Sequence, residues 1–456
     1  MYFQRTVAFF SLVLVVCPSA IGVASAEDAA LRLATFQCDV TPPLGQPIYS
    51  SYRPLAKIEH PLLAKGIVLA EGERRYVLCV LDWCEVCNSS HTLFRTLLAK
   101  AAGTNASCVA IQTVHQHTAP MADADAMRLL STIENPPPHP DPDAIEKAAR
   151  RVADALSESL KQMQPVDRIG SGQACIEGVG STRRVGTDDG KILVRWSRCT
   201  DPKLRAMPDG RIDPYLKTIT FAHGGRPLVR LHYYATHPQS FYGDPRASYD
   251  FPGLARQKLE QQEGVFQIYF TGCGGDVTAG KYNDGSREAR DRLTDKLLAG
   301  MEAAVAATKY EPIRSLQWRS VPVKLPTRDD QGFTVENARA RMLNPNASPS
   351  ARIYNGAMRV VAAERADVPY ELSALQINDT YILHLPGECM IEFQLFAQQQ
   401  RPNGFVAVAA YGDCAPGYIC TEAAFTEGGY EPRDAGVAPE SEAIVKQAIR
   451  RLLALE

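Results

Sequence analysis

Apolar and polar positions follow two rhythms along this chain. Apolar residues three and four apart predict helices over 91–102, 143–163, 252–262, 286–307, 334–343, 391–400 and 440–455. Between them lie short apolar or β-branched runs at 66–70, 76–81, 108–113, 218–222, 228–234, 266–270, 381–385 and 405–409, which predict strands. Strands alternating with helices indicate an α/β fold. Its expected form is a mixed, mostly buried β-sheet flanked by helices, with a site at the carboxyl ends of strands. The stretch 169–216 is rich in Gly and Arg and weakly periodic, so loops and short hairpins are expected there. The Pro-rich run 135–142 is a linker or a rim loop ahead of a long helix. No internal repeat shows at the periods of solenoids or propellers.

The first residues break this pattern. Arg5 precedes an apolar run over 7–16 that is too short to span a bilayer, and Ala24-Ser25-Ala26 is a small-x-small cleavage site. A secretory signal peptide is therefore expected over 1–26. A lipoprotein anchor at Cys17 is disfavoured because Val16 stands where a small residue is wanted. No later segment has the ~18 uninterrupted apolar residues of a transmembrane helix. Residues 27–456 are expected to be exported, periplasmic or secreted, and to form one catalytic unit.

Charge narrows the partners. Lys and Arg number 49 against 51 Asp and Glu, so there is no basic excess to neutralise phosphates or to hold an anionic membrane. A nucleic-acid partner is excluded on that ground. At 45% hydrophobic residues the chain is also too apolar for a disordered one. Of twelve cysteines, an odd number remains after Cys17 is removed, so at least one thiol stays free or pairs outside the chain. Trp83-Cys84-Glu85-Val86-Cys87, between a strand and a helix, looks like the redox motif of a thioredoxin. The helix is expected to start later, with Ser89 or Ser90 as its N-cap, which denies Cys84 the helix terminus that lowers a thiol pKa. A structural disulfide or two packed thiols is the favoured reading, and thiol–disulfide exchange at Cys84 and Cys87 the minor one.

Chemistry gathers where strands end. His115 and His117 follow the 108–113 run, and His237 follows 228–234. A Gly-rich turn, Gly272-Cys273-Gly274-Gly275, and Asp276 follow 266–270, Glu388 follows 381–385, and Asp413 follows 405–409. In open α/β sheets ligand sites form beyond such ends. In an extended segment His115 and His117 share a face. With His237 and a carboxylate they make a familiar zinc ligand set, although each histidine alone reads more readily as a hydrogen-bonded core or surface residue. Glu388 reads either as a ligand or as an acidic residue at a helix N-terminus. No Gly-x-Ser-x-Gly is present for a serine nucleophile. The Gly-rich turn is a cysteine elbow, an anion nest or a plain tight turn. It lacks a P-loop ending, and no Gly-x-Gly-x-x-Gly opens a helix, so nucleotide binding has no support. Tyr418 and Tyr430 lie in a long loop of small residues, where aromatics ordinarily pack the loop down.

Five blocks in order resemble the catalytic domain of the neutral/alkaline non-lysosomal ceramidase family. His115-Gln116-His117-Thr118-Ala119-Pro120 is similar to its His-Thr-His-Ser-Gly/Ala-Pro, and Thr236-His237-Pro238 to its second His-Pro. Gly275-Asp276-Val277-Thr278 resembles Gly-Asp-Val-Ser, and Pro386-Gly387-Glu388 matches Pro-Gly-Glu. Gly417-Tyr418-Ile419-Cys420-Thr421 and Gly429-Tyr430-Glu431 resemble Tyr-x-Thr-Thr and Tyr-Glu.

The resemblance implies a zinc held by His115, His237, Glu388 and Tyr418. It implies that His117, Arg183 and Tyr430 act at the scissile carbonyl, with Arg184 the alternative to Arg183. The implied activity is hydrolysis of a linear N-acyl amide, ceramide or a related small-molecule lipid amide, by a zinc-bound hydroxide. Thr278 stands where the family has Ser. The chain is expected to end in the helix 440–455, without the family's C-terminal β-sandwich, which weakens ceramide as the substrate. The reading from another class is a non-catalytic exported metal-binding or scaffold protein of the same fold.

Overall fold

Residues 31–49, 52–241, 243–330 and 332–455 are described by a computed structural model; the expected signal segment lies outside them. The predicted strands and helices form, but as three sheets rather than one. The first has five strands in the order Val109–Thr113, Arg74–Leu81, Leu63–Glu71, Arg32–Asp39, Gln164–Pro165. The second runs Phe266–Thr271, Arg226–Tyr234, Tyr215–His223, Arg168–Cys175, Lys309–Pro312. The third has four, Phe405–Ala409, Thr380–His384, Tyr370–Ile377 and Leu316–Val323.

These orders are one arrangement used three times. Each unit begins with three antiparallel strands, starting at Arg32, Arg168 and Leu316. A helix then crosses over to a fourth strand that pairs in parallel with the third. The crossover helices are Asn88–Ala102, Asp250–Glu263 and Ile391–Gln400. A later helix in each unit, Pro142–Ser159, Arg287–Ala306 or Ser441–Leu452, packs on the first strand. The repeat is far longer than the periods read from sequence.

Helices cover the sheets, so the inner strands are buried on both faces and read as continuous apolar runs: Val77 to Leu81 is wholly buried. Each such Val or Leu contributes about 1.5–3 kcal/mol. The stretch expected to be loops contains a central strand, Arg168–Cys175. Its glycines hid it: a Cβ at Gly172 would collide with the Ala304 carbonyl of the overlying helix, so close packing has replaced side chains there.

The fourth strands meet end to end. Thr113 N donates to Tyr411 O (2.9 Å), Ala410 N to Thr271 O (3.0 Å) and Thr271 Oγ1 to Val114 O (2.7 Å). Three strand ends, one per unit, are thus tied into a ring of hydrogen bonds beneath the residues that follow them. Among the described residues no helix is long and apolar enough to cross a membrane.

Candidate metal centre

Each unit delivers one buried donor to the point where the strands meet. His115 follows the fourth strand of the first unit with φ 70°. It is not extended, so the pleat is not what puts His115 and His117 into one cleft. The left-handed turn does this, leaving the rings 5.1 Å apart and perpendicular. The turn is held from below: His115 N donates to Trp83 O (2.9 Å) and its Nδ1 to Cys84 O (2.8 Å). In the second unit His237 follows the third strand, and its Nδ1 donates to Gly274 O (2.7 Å).

Glu388 comes from the third unit, on a two-residue strand paired in parallel with Tyr418–Ile419. It is not at the start of the next helix, whose N-cap is Met390. Asp276 serves that helix terminus instead, accepting from Ile391 N (2.8 Å). Asp413 accepts from Asn88 N (2.9 Å) and Ala415 N (3.1 Å). Neither aspartate, both expected at the rim, joins the three donors.

The donors form a triangle. His115 Nε2 lies 3.0 Å from His237 Nε2 and 3.2 Å from Glu388 Oε2, and His237 Nε2 is 3.1 Å from the same oxygen. Both Nδ1 protons are committed to carbonyls, so each Nε2 presents a lone pair. Three acceptors face one another, and Glu388 Oε2 is buried without a hydrogen-bond donor. Such a set is costly alone and is satisfied by a cation. Donors 2.0–2.1 Å from a tetrahedral zinc lie about 3.3 Å apart, close to this triangle, and imidazoles fixed through the far nitrogen suit the same ion. Burial lowers His237 to about 4 and holds His117 well below the ordinary imidazole value. His237 is thus in the neutral state a metal needs.

A cavity of about 420 Å³ opens beside the triangle. His117 lines it, with Nδ1 accepting from Gln239 Nε2 (3.2 Å), which leaves the ring proton on Nε2. Tyr418 and Tyr430 meet edge to face at 5.6 Å, and the Arg183 guanidinium lies 5.5 and 5.1 Å from their ring centres. Arg183 Nη1 donates to Tyr418 Oη (3.2 Å) and Nη2 to Gly275 O (2.7 Å), while Nε pairs with buried Glu431 at 3.2 Å. Burial pushes both phenols well above their ordinary value.

Of the two candidate arginines, Arg183 reaches the cavity. Arg184 turns away to Glu427 (2.8 Å) and Glu431 (3.1 Å). The Gly-rich turn is a close approach of two backbones: Gly275 N donates to Cys389 O (2.9 Å), and a Cβ at Gly275 would sit 2.5 Å from Glu388 O. Thr278 does not line the cavity; its hydroxyl accepts from Gly280 N (3.1 Å).

Cys84 and Cys87 are free and buried, and burial raises both thiols well above their usual range. The helix begins at Asn88, with Cys87 rather than Ser89 or Ser90 at its N-cap. The Cys87 thiol faces Glu85 Oε2 (3.6 Å), and all eleven described cysteines are free, so of the two favoured readings buried thiols hold and the disulfide is absent among the described residues. Cys84 could join His115 and His117 around an ion, but the Nδ1 of His115 is already committed to the Cys84 carbonyl.

Several cavity residues carried no sequence signal: Tyr49, Trp196, Gln239 and Tyr354 stand in no motif. Glu431 did carry one. It ends the Tyr-Glu pair, is fully buried, and neutralises both arginines.

Solved structures share this architecture. A neutral ceramidase from Pseudomonas aeruginosa is 16% identical, with a TM-score of 0.66 over 94% of this chain and 74% of that one. A ceramidase complexed with C2 is also 16% identical at TM-score 0.66, over 94% and 75%. At that identity the likeness establishes the fold. No protein-family model and no curated protein matches the sequence.

Proposed function

We propose that residues 27–456 form an exported zinc-dependent amidohydrolase that cleaves the amide bond of an N-acyl substrate, ceramide or a related lipid amide. The observation that carries this reading is the triangle of His115, His237 and Glu388, three converging lone pairs with no donor between them. Tyr418, paired in register with Glu388, is the fourth candidate ligand. Zinc bound there supplies Lewis-acid polarisation and lowers the pKa of water from 15.7 toward ~7.

The chain's own groups supply the rest. Arg183, Tyr430 and the Nε2 proton of His117 are donors around the cavity for the oxygen of a reacting carbonyl. A single donor of this kind is worth about 2.7–4 kcal/mol in the transition state. Glu431 holds the Arg183 fork in place, and Gln239 fixes the tautomer in which His117 presents a proton rather than a lone pair.

Metal analysis of the purified protein is expected to find about one zinc per chain, and a chelator to abolish hydrolysis of N-acyl amides. Full zinc content and rate in His115→Ala would overturn the assignment.

A further inference from the structure

The cavity wall has a chemistry of its own. Among the described residues lining it there is no Leu, Ile, Val or Met side chain. The walls are aromatic and polar, with Tyr49, Trp196 and Tyr354 beside Gln239, Asn355 and Arg198. An alkyl chain gains affinity from the apolar surface that covers it, and here that surface is aromatic ring faces interrupted by polar groups, with no aliphatic side chain to line a path for two long chains.

Arg198 is the second observation. The other cavity arginine, Arg183, is neutralised by buried Glu431. Arg198 forms no ion pair with a carboxylate among the described residues. Its Nε donates to Asp284 O (3.0 Å), and its side chain lies across Gly285, where a Cβ would stand 2.6 Å from Nε. The guanidinium is therefore held by its Nε edge, with its two terminal nitrogens left for a ligand. Trp196, two residues earlier and 50% exposed, packs edge-on against Tyr430 at 5.0 Å. Both are exposed while lining the cavity, which places them at its mouth.

We propose that the substrate is a compact N-acyl compound bearing a carboxylate, of the N-acyl amino acid kind, whose anion pairs with Arg198 while Trp196 covers its apolar part. A guanidinium matches a carboxylate with two parallel hydrogen bonds, and a charge at the mouth of a cavity also draws anions inward. This inference rests on the amidohydrolase reading and narrows its substrate class away from two-chain lipids.

The test uses the zinc-loaded full chain and a matched pair, N-benzoylglycine and the neutral N-benzoylglycinamide. The wild type is expected to favour the acid in kcat/KM by about 10- to 100-fold, mainly through KM, the span of 1.4–2.8 kcal/mol at tenfold per 1.4 kcal/mol. Arg198→Gln is expected to bring the ratio near one, and Arg198→Lys to restore part of it. Equal turnover of the pair, an unchanged ratio in Arg198→Gln, or faster cleavage of long-chain ceramide in mixed micelles would overturn the inference and leave the hydrolase reading standing. If neither compound nor ceramide is cleaved, the hydrolase reading fails, and calorimetric binding of the same pair decides the anion site. Preference for the acid that Arg198→Gln abolishes supports it, and equal binding overturns it.

Discussion

His232 and His237 lie five residues apart, both buried, one inside a strand and one just past its end. The ring of His232 is closed by the protein: Nδ1 faces Thr218 Oγ1 at 2.9 Å and Nε2 faces Gln267 Oε1 at 2.7 Å. The ring of His237 is closed on one side only, by Gly274 O, while its Nε2 faces another imidazole and a carboxylate oxygen. The first arrangement is complete within the chain; the second could be completed by a cation. The same contrast holds for charges. Asp82 and Arg256, both buried, make two parallel hydrogen bonds of 2.8 and 2.9 Å, whereas Glu388 Oε2 has no donor at all. A buried polar set that satisfies itself supports the fold, and one that does not satisfies itself through a ligand.

Four experiments would break or sharpen that contrast. Glu388→Ala is expected to take zinc from about one per chain to near zero and to lower kcat by ~10⁴-fold, about 5.5 kcal/mol. The metal-free variant is expected to be no less stable than the metal-free wild type, because a buried carboxylate without a donor has gone. Loss of several kcal/mol in denaturant melts would place Glu388 with the closed sets.

Arg256→Met removes the partner of buried Asp82 and is expected to cost about 3–5 kcal/mol of stability, read by urea unfolding. The zinc content of whatever folds is expected to hold.

Acid tests the closed histidine. Burial lowers His232 to about 4 from its ordinary 6.5, so the unfolded chain binds the extra proton between those values. Stability is present in full above 6.5 and is lost as pH falls toward 4. The loss is about 1.4 kcal/mol per pH unit at most for this group, followed by melts at pH 6.5 and 5. A His232→Gln variant whose melting is as acid-sensitive as the wild type would remove His232 from the account.

The smallest effect is expected for Cys87→Ala: about 1 kcal/mol of stability and turnover unchanged, because a buried thiol of raised pKa does no redox chemistry here. Disulfide reductase activity that this variant abolishes would revive the thiol reading.

Much of this is legible in the sequence. Apolar runs located the third and fourth strands of every unit, since strands covered on both faces leave unbroken hydrophobic stretches. The residues after those runs then proposed His115, His237 and Glu388 together. Three things were hidden. The strand Arg168–Cys175 uses glycine for close packing, which erases its alternation. The two neighbouring histidines share the cleft through a left-handed turn at His115, which residue spacing does not encode. Tyr49, Trp196, Gln239 and Tyr354 reach the cavity from segments with no pattern of their own, positioned by tertiary packing alone. The threefold arrangement escaped as well, because it is carried by strand order rather than by repeated letters.

That arrangement makes the centre a three-way coincidence detector. One donor comes from each unit, so no single unit and no pair of units holds the full triangle. A metal held by the full triangle would need all three units docked, and its affinity would gauge how well they are. In fragments cut between units and mixed again, recovered affinity would count the reassembled molecules, much as a lock turns only when every tumbler is in line.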